Sequence, residues 1–157
     1  MSTFGSPISA IGSAAVLAGA VLLLVRRRLL RTYAVNLPDV HAELTAVHTR
    51  YEAALAENDV AALDELFFDH PATLRYGPDK SQHGYAAIAA MRASKKQPQG
   101  PRSEVVSKTI TTFGSDFGTA SIECRDANDP RLKRQQQTWL RTPAGWRVVA
   151  AHVSFAS

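Results

Sequence analysis

Cysteine is almost absent from this sequence: Cys124 is the single one in 157 residues. One thiol cannot build a disulfide framework or a cysteine-rich metal site. The five histidines form neither the H-E-x-x-H pattern nor another ligand pair at helical spacing, so we expect no metal. A nucleophile elbow, a phosphate-cradling glycine loop and a dinucleotide fingerprint are missing as well, and we expect no cofactor. Any chemistry would then rest on polarisation and proton transfer.

Acidic residues are missing from the N-terminal stretch, which holds Arg26, Arg27, Arg28 and Arg31. The chain has a formal charge of +4, with 18 basic and 14 acidic residues. Removing those four arginines leaves 14 basic residues, which balance the 14 acidic ones. The rest of the sequence also lacks a basic stripe interleaved with aromatic residues. Nucleic acid is therefore not an expected partner.

One long uncharged run extends from Ile8 to Val25, and the arginines follow it directly. Its 18 residues reach the lower limit for a membrane-spanning helix and exceed the usual apolar part of a signal peptide. Because positive charge lies only behind it, the run predicts a single membrane anchor with the domain in the cytoplasm. The alternative is a start codon placed too early, with translation beginning near Tyr33. We expect residues 1–34 to be a separate segment and residues 35–157 to form one domain.

Helical patterns open the domain. Apolar residues recur at steps of three and four between Val40 and Leu55, which predicts an amphipathic helix from Pro38 to Glu57. Tyr51 lies on its apolar stripe. Asn58-Asp59 then caps a second, short helix, so we expect a helical pair.

Pro71 ends this helical region, because proline disfavours helical geometry in the preceding residue and cannot itself continue a helix. A strand is predicted from Ala72 to Tyr76. Side chains alternate along a strand, so Arg75 lies on one face and Tyr76 on the other.

The second half of the sequence consists mainly of strand patterns. A helix is predicted from Gly84 to Ser94, after turn chemistry at Gly77-Pro78-Asp79. Strands are predicted at Glu104 to Thr112, Phe117 to Arg125, Gln135 to Arg141 and Trp146 to Phe155. Helices followed by a run of strands indicate an α+β fold, a bent antiparallel sheet with helices across one face. The interior of such a cone is the default place for a small ligand.

Tyr51 and Arg75 are the main candidates for chemistry inside this cone. A buried tyrosine hydroxyl needs a hydrogen-bond partner, which a substrate could supply. A guanidinium held in a cavity can bind a carboxylate through two parallel hydrogen bonds. The structural alternatives are a core tyrosine bonded to the backbone and an ordinary surface arginine.

Tyr76, Trp139 and His152 are further candidates for substrate contact. His152 is predicted to share a face of the last strand with Trp146, where its imidazole could act as a base or a donor. A structural histidine is the alternative. On the preceding strand Trp139 alternates with Thr138, and the sequence leaves open which of them faces inward.

Several short sequence motifs follow one another along the chain in an order and at a spacing that match a known family. They are Val35-Asn36-Leu37-Pro38-Asp39, Arg50-Tyr51-Glu52-Ala53-Ala54-Leu55, Leu74-Arg75-Tyr76-Gly77, Gly84-Tyr85, Gln137-Thr138-Trp139 and Gly145-Trp146-Arg147-Val148-Val149-Ala150-Ala151-His152-Val153-Ser154. This set resembles the AtzH-like family of the NTF2-like (SnoaL-like) superfamily. The resemblance covers residues 35–154 and has no counterpart in residues 1–34. It implies a cone with a curved, antiparallel-rich sheet and helices on the concave face, usually as a homodimer.

The resemblance also implies a function in nitrogen catabolism beside an amidase, as an amidohydrolase that converts dicarboxyurea to allophanate or acts on a related ureide. The tyrosine and arginine that the family needs for catalysis fall on Tyr51 and Arg75. Arg75 would clamp a substrate carboxylate, and Tyr51 would donate or relay a proton. Lys80 stands where the family usually has glutamate, which leaves the substrate open. The alternative is a non-catalytic ligand-binding or accessory subunit associated with an amidase, since this fold hosts both.

Overall fold

The computed structural model describes residues 19–26, 34–95, 104–126 and 129–156. From residue 34 onward the described elements are α1 (Pro38–Glu57), α2 (Val60–Leu66), β1 (Leu74–Tyr76), β2 (Ser81–His83), α3 (Tyr85–Ala93), β3 (Glu104–Phe113), β4 (Phe117–Asp126), β5 (Asp129–Thr142) and β6 (Gly145–Phe155). The strands form one sheet in the order β2-β1-β6-β5-β4-β3. Only β1 and β6 run parallel among these neighbouring pairs. The predicted α+β architecture with an antiparallel-rich sheet is confirmed.

Helix α1 has the predicted bounds, Pro38–Glu57. Proline suits the first turn, because its fixed φ angle is helical and its missing N–H needs no partner there. The helix ends at Asn58, which adopts a left-handed conformation with φ 57° and donates its N–H to the carbonyl of Ala54. The buried stripe that faces the sheet consists of Val40, Leu44, His48, Tyr51 and Ala54.

The chain meets the sheet directly after α2. The N–H of Phe68 donates to the carbonyl of Val148 at 3.0 Å, and the hydroxyl of Thr73 donates back to the carbonyl of Phe68 at 2.7 Å. Strand β1 begins at Leu74, two residues later than predicted, because Pro71 and Ala72 form a turn across which the N–H of Thr73 donates to the carbonyl of His70 at 3.1 Å. It pairs with β2, which the sequence pattern did not predict because three residues are too few to show alternation.

A β-bulge interrupts the ladder between β5 and β6. Thr138 pairs with Ala150, but the next residue, Trp139, pairs with Val148. Val149 is therefore an extra residue without an opposite partner in this ladder. An extra residue bends its strand and exchanges the two faces from that point on.

The bulge corrects one prediction and resolves an open alternative. Trp146 and Val148 are buried before the bulge, whereas Ala151 is buried after it and His152 is exposed. The prediction that His152 shares a face with Trp146 is wrong, because simple alternation fails across an extra residue. On β5 it is Trp139 that faces the helices, with no exposed surface.

The helices cover the concave face, and Leu44 of α1 packs directly against Gly118 of β4. A Cβ atom at this position would lie 2.4 Å from Leu44 Cδ2 and 3.0 Å from the carbonyl oxygen of Thr111. Both distances are shorter than van der Waals contact, so glycine allows the close approach of helix and sheet. Around this contact the buried core includes Leu44, Tyr51, Leu66, Ile88, Trp139, Trp146 and Val148.

The predicted membrane anchor lies mostly outside the described residues. Residues 8–18 and the basic flank from 27 to 33 are not described, whereas residues 19–26 are helical and carry the exposed side chains of Val21 to Val25. Of the helices that the described ranges contain, none has the length and apolar character needed to cross a membrane.

Replacing Gly118 by alanine is expected to destabilise the fold. The added methyl group must displace Leu44 or shift the backbone of β3, and overpacking of this kind costs roughly 1–3 kcal/mol. Thermal unfolding followed by circular dichroism should show a melting temperature lowered by several degrees. Thr109→Ser on the exposed part of β3 is the control and should change the free energy of unfolding by less than about 0.5 kcal/mol. An unchanged melting temperature in Gly118→Ala would contradict this packing.

Candidate functional site

A cavity of about 210 Å³ opens between the helices and the concave face of the sheet. Its apolar wall includes Leu55, Leu63, Phe67, Met91, Val153 and Phe155, and its polar wall is formed by Tyr51, Asn58, Arg75, Arg92, Lys95, Lys133 and Gln135. None of the residues described as lining it is an aspartate, glutamate, histidine or cysteine. In the ranges that the structure describes, no three His, Cys, Asp or Glu side chains are grouped to hold a metal ion.

Tyr51 reaches this cavity from α1 and is supported by an aromatic cluster. It is 6% exposed, and its ring centroid lies 5.7 Å from that of Trp139, with the two planes at 89°. The ring of Phe67 lies 6.4 Å away on another side. Edge-to-face packing of this kind fixes the direction of the ring. Trp139 thus packs against the ring of Tyr51 and is not part of the cavity wall.

Arg75 enters the same cavity from β1. Its Nη1 donates a hydrogen bond to Oε1 of Gln82, the residue directly opposite on β2, at 3.0 Å. Within the described residues, Arg75 has no ion pair with a carboxylate. Burial lowers the pKa of Arg75, an ionised Tyr51 would raise it, and Arg92 lowers it further. Because arginine stays protonated in proteins, Arg75 is a half-buried cation in the wall of the cavity that Tyr51 also lines.

Gly77 leaves the space that the guanidinium occupies. A Cβ atom on Gly77 would lie 2.8 Å from Nη1 of Arg75 and 3.1 Å from the carbonyl oxygen of Lys80. The N–H of Gly77 also donates to that carbonyl at 2.9 Å, which closes the hairpin between β1 and β2. The Lys80 residue, which departs from the usual glutamate, is exposed and is not part of the cavity wall.

Two of the other cations in the cavity wall have carboxylate partners. Nη1 of Arg92 donates to Oδ1 of Asp64 at 2.8 Å, and its guanidinium lies 3.8 Å from the centroid of the Phe67 ring. Nζ of Lys133 donates to Oδ2 of Asp126 at 2.7 Å. These pairs offset part of the positive charge near the cavity.

Lys95 lies at the rim of the cavity and is influenced by the other cations. More than a third of the residue is exposed, yet the loss of water around its ammonium group lowers the pKa of Lys95. Arg75, Lys133 and Arg92 each lower this pKa further through like-charge repulsion. The cavity therefore has a positive potential, which favours an anionic ligand.

Tyr76 and His152 lie on the opposite face of the sheet. They are neighbours across β1 and β6, with ring centroids 6.3 Å apart and planes at 89°, and both are exposed. His152 lines a separate groove of about 380 Å³ together with Ser107 and Ser154. The structure thus brings Tyr51 and Arg75 to one cavity, whereas Tyr76 and His152 do not contribute to its wall.

The other polar residues of the cavity were not predicted as site residues from the sequence: Asn58, Arg92, Lys95, Lys133 and Gln135. A signal existed for two of them, because Lys133, Gln135 and Trp139 are spaced by even numbers along β5 and all face inward. The predicted strand began only at Gln135, so Lys133 was left outside it. Lys95 follows the last helix and has no periodic signal.

Two solved structures share 44% sequence identity with this chain. One is a protein with unknown function from the DUF3225 family of Pectobacterium atrosepticum SCRI1043; the match covers 78% of this chain and 95% of that chain, with a TM-score of 0.75. The other is a cystatin-like fold protein from Burkholderia xenovorans LB400, with 79% and 97% covered and a TM-score of 0.75. An NTF2-like superfamily protein from Salmonella enterica serovar Typhimurium shares 21% identity, with 76% and 92% covered and a TM-score of 0.58, and shows the fold alone.

A comparison with curated proteins finds no match. The AtzH-like family model matches residues 33–157, which include all the strands and helices around the cavity. By this match the chain belongs to the AtzH-like family, and its fold is similar to that of NTF2-like proteins.

Proposed function

We propose that this protein is an amidohydrolase that cleaves a linear C–N bond in a small ureide- or dicarboxyurea-type substrate. The observation that carries the proposal is the placement of Arg75, a half-buried cation without a carboxylate partner among the described residues, in the same cavity as Tyr51. Both side chains line one cavity whose described wall contains no acidic residue. A guanidinium in such a place is suited to bind a carboxylate through two parallel hydrogen bonds.

The size of the cavity limits the substrate to a small molecule. Its volume of about 210 Å³ lies below the range of roughly 300–1,000 Å³ that is typical of pockets for drug-sized ligands. A dicarboxyurea has few heavy atoms and carries a carboxylate at each end. Arg75 would hold one end, and Lys95, which has no carboxylate partner among the described residues, would favour the second charge.

The proposed reaction consumes one water molecule. Its oxygen adds to the carboxyl carbon of an –NH–COO⁻ group, the C–N bond breaks, and the nitrogen leaves as –NH₂ after taking up a proton. Tyr51 donates or relays this proton, and Arg75 stabilises the charge that develops on the carboxyl oxygens. With dicarboxyurea as substrate, the products are allophanate and bicarbonate, and nothing is oxidised or reduced.

A second candidate is a non-catalytic binding or accessory subunit of an amidase. One observation favours it: the described wall of the cavity holds no carboxylate or imidazole that could act as a general base for water. Purification together with an amidase, combined with no product release from candidate ureides by the isolated protein, would support this function over hydrolysis.

Arg75→Lys is expected to lower kcat/KM about 100-fold or more, because lysine keeps the charge but lacks the planar guanidinium that can make two parallel hydrogen bonds.

Tyr51→Phe should lower kcat more than it changes KM, since the phenol acts in the bond-breaking step and Arg75 still binds the carboxylate. The assay follows bicarbonate release from dicarboxyurea or ammonia release from ureides.

Arg134→Lys is the matched control for the arginine variant. Arg134 pairs with Glu123 through its Nε at 2.9 Å and lies outside the cavity wall, so its variant should keep wild-type kinetics. Circular dichroism spectra and melting temperatures of all variants must match the wild type. Wild-type turnover in Arg75→Lys would remove the proposed mechanism.

Affinity for a small dicarboxylate such as malonate is expected to fall as the pH rises toward the pKa of Lys95. This pKa is lowered below the ordinary lysine value, first by desolvation and then by Arg75, Lys133 and Arg92, so the positive charge is lost at a lower pH than for a lysine in water. Titration calorimetry between about pH 7 and pH 10 measures the effect. Lys95→Arg keeps its charge over this range and should retain its affinity. Identical pH profiles for both proteins would show that Lys95 does not contact the anion.

A further inference from the structure

Gln82 holds the guanidinium of Arg75 through a neutral acceptor. The two residues face each other across β1 and β2, and Nη1 of Arg75 donates to Oε1 of Gln82 at 3.0 Å. Gly77 bounds the guanidinium at the hairpin turn, where even a methyl group would come within 2.8 Å of Nη1. The side chain is therefore held between a strand neighbour and a turn.

The hydrogen-bond acceptor of Arg75 carries no charge, unlike the acceptors of two other cations in the cavity wall. Arg92 donates to the carboxylate of Asp64 and Lys133 to that of Asp126, so each has a negative charge beside it. Gln82 offers Arg75 a carbonyl oxygen of nearly the same shape but without the charge. Arginine has five N–H donors, and one hydrogen bond to Gln82 leaves others for a ligand.

We propose that Gln82 is a positioning residue that sets the charge selectivity of the cavity. It fixes the direction of the Arg75 guanidinium and leaves its positive charge for a ligand carboxylate. This inference rests on the proposed function to the extent that the ligand is an anion, and it does not depend on which bond is cleaved.

The test is Gln82→Glu, measured with malonate and with malonamide, its neutral analogue. The new carboxylate would neutralise Arg75, so malonate should bind roughly 10-fold to 100-fold more weakly than to the wild type. Malonamide affinity should change little. The melting temperature should be unchanged or raised, because the new ion pair is favourable in the free protein. A role in stability alone would not change the ratio of the two affinities.

Two further variants change the position of the Arg75 guanidinium without changing its charge. Gln82→Met keeps the length but removes the acceptor, and Gly77→Ala displaces the guanidinium while its backbone lacks a positive φ angle. Both should weaken malonate binding without adding a negative charge beside Arg75. Gln136→Glu adds the same charge at an exposed position on the opposite face and should bind malonate as the wild type does.

The outcomes distinguish this inference from the proposed function. Wild-type malonate affinity in Gln82→Glu would overturn the function of Gln82 and leave the anion site in place. No preference of the wild type for malonate over malonamide would overturn both. The expected shifts without turnover of any ureide would support Gln82 as the selectivity residue and contradict hydrolysis.

Discussion

The extra residue Val149 in β6 determines which side chains of that strand face the helices. Without it, strict alternation would place His152 and not Ala151 under the helices. A bulge also bends its strand and increases the local twist, which suits a sheet that curves around a helical layer. Before the insertion β6 contributes Trp146 and Val148 to the core, and after it the same strand contributes Ala151, Val153 and Phe155 to the cavity wall.

The charges in the cavity are arranged differently from those in a stability network. Arg92 joins α2 and α3 through Asp64, a structural pair in which each charge has its counter-charge. Arg75 gains no such compensation among the described residues and carries a desolvation penalty. A ligand carboxylate would offset that penalty through its opposite charge.

The features that follow from local sequence were predictable. Pro38 and Asn58 give both ends of α1, and the helical period places Tyr51 on its buried stripe. Strand alternation separates Arg75 from Tyr76 but does not say which of the two faces the helices. The face of His152 was not predictable, because a bulge arises from the pairing of two strands and leaves no mark in one of them. Lys95 follows α3 and Lys133 lies near the start of β5. Their common place in the cavity wall was not predictable either, because it depends on how these two elements meet in space.

Arg75 and Gln82 belong to a short hairpin at one edge of the sheet, where each strand has three residues. Short edge elements open with less free energy than the centre of a sheet. A ligand that requires the closed hairpin stabilises it by mass action, so occupancy and local order are thermodynamically linked. Anion binding would then slow amide hydrogen exchange along this edge while leaving the centre of the sheet unchanged.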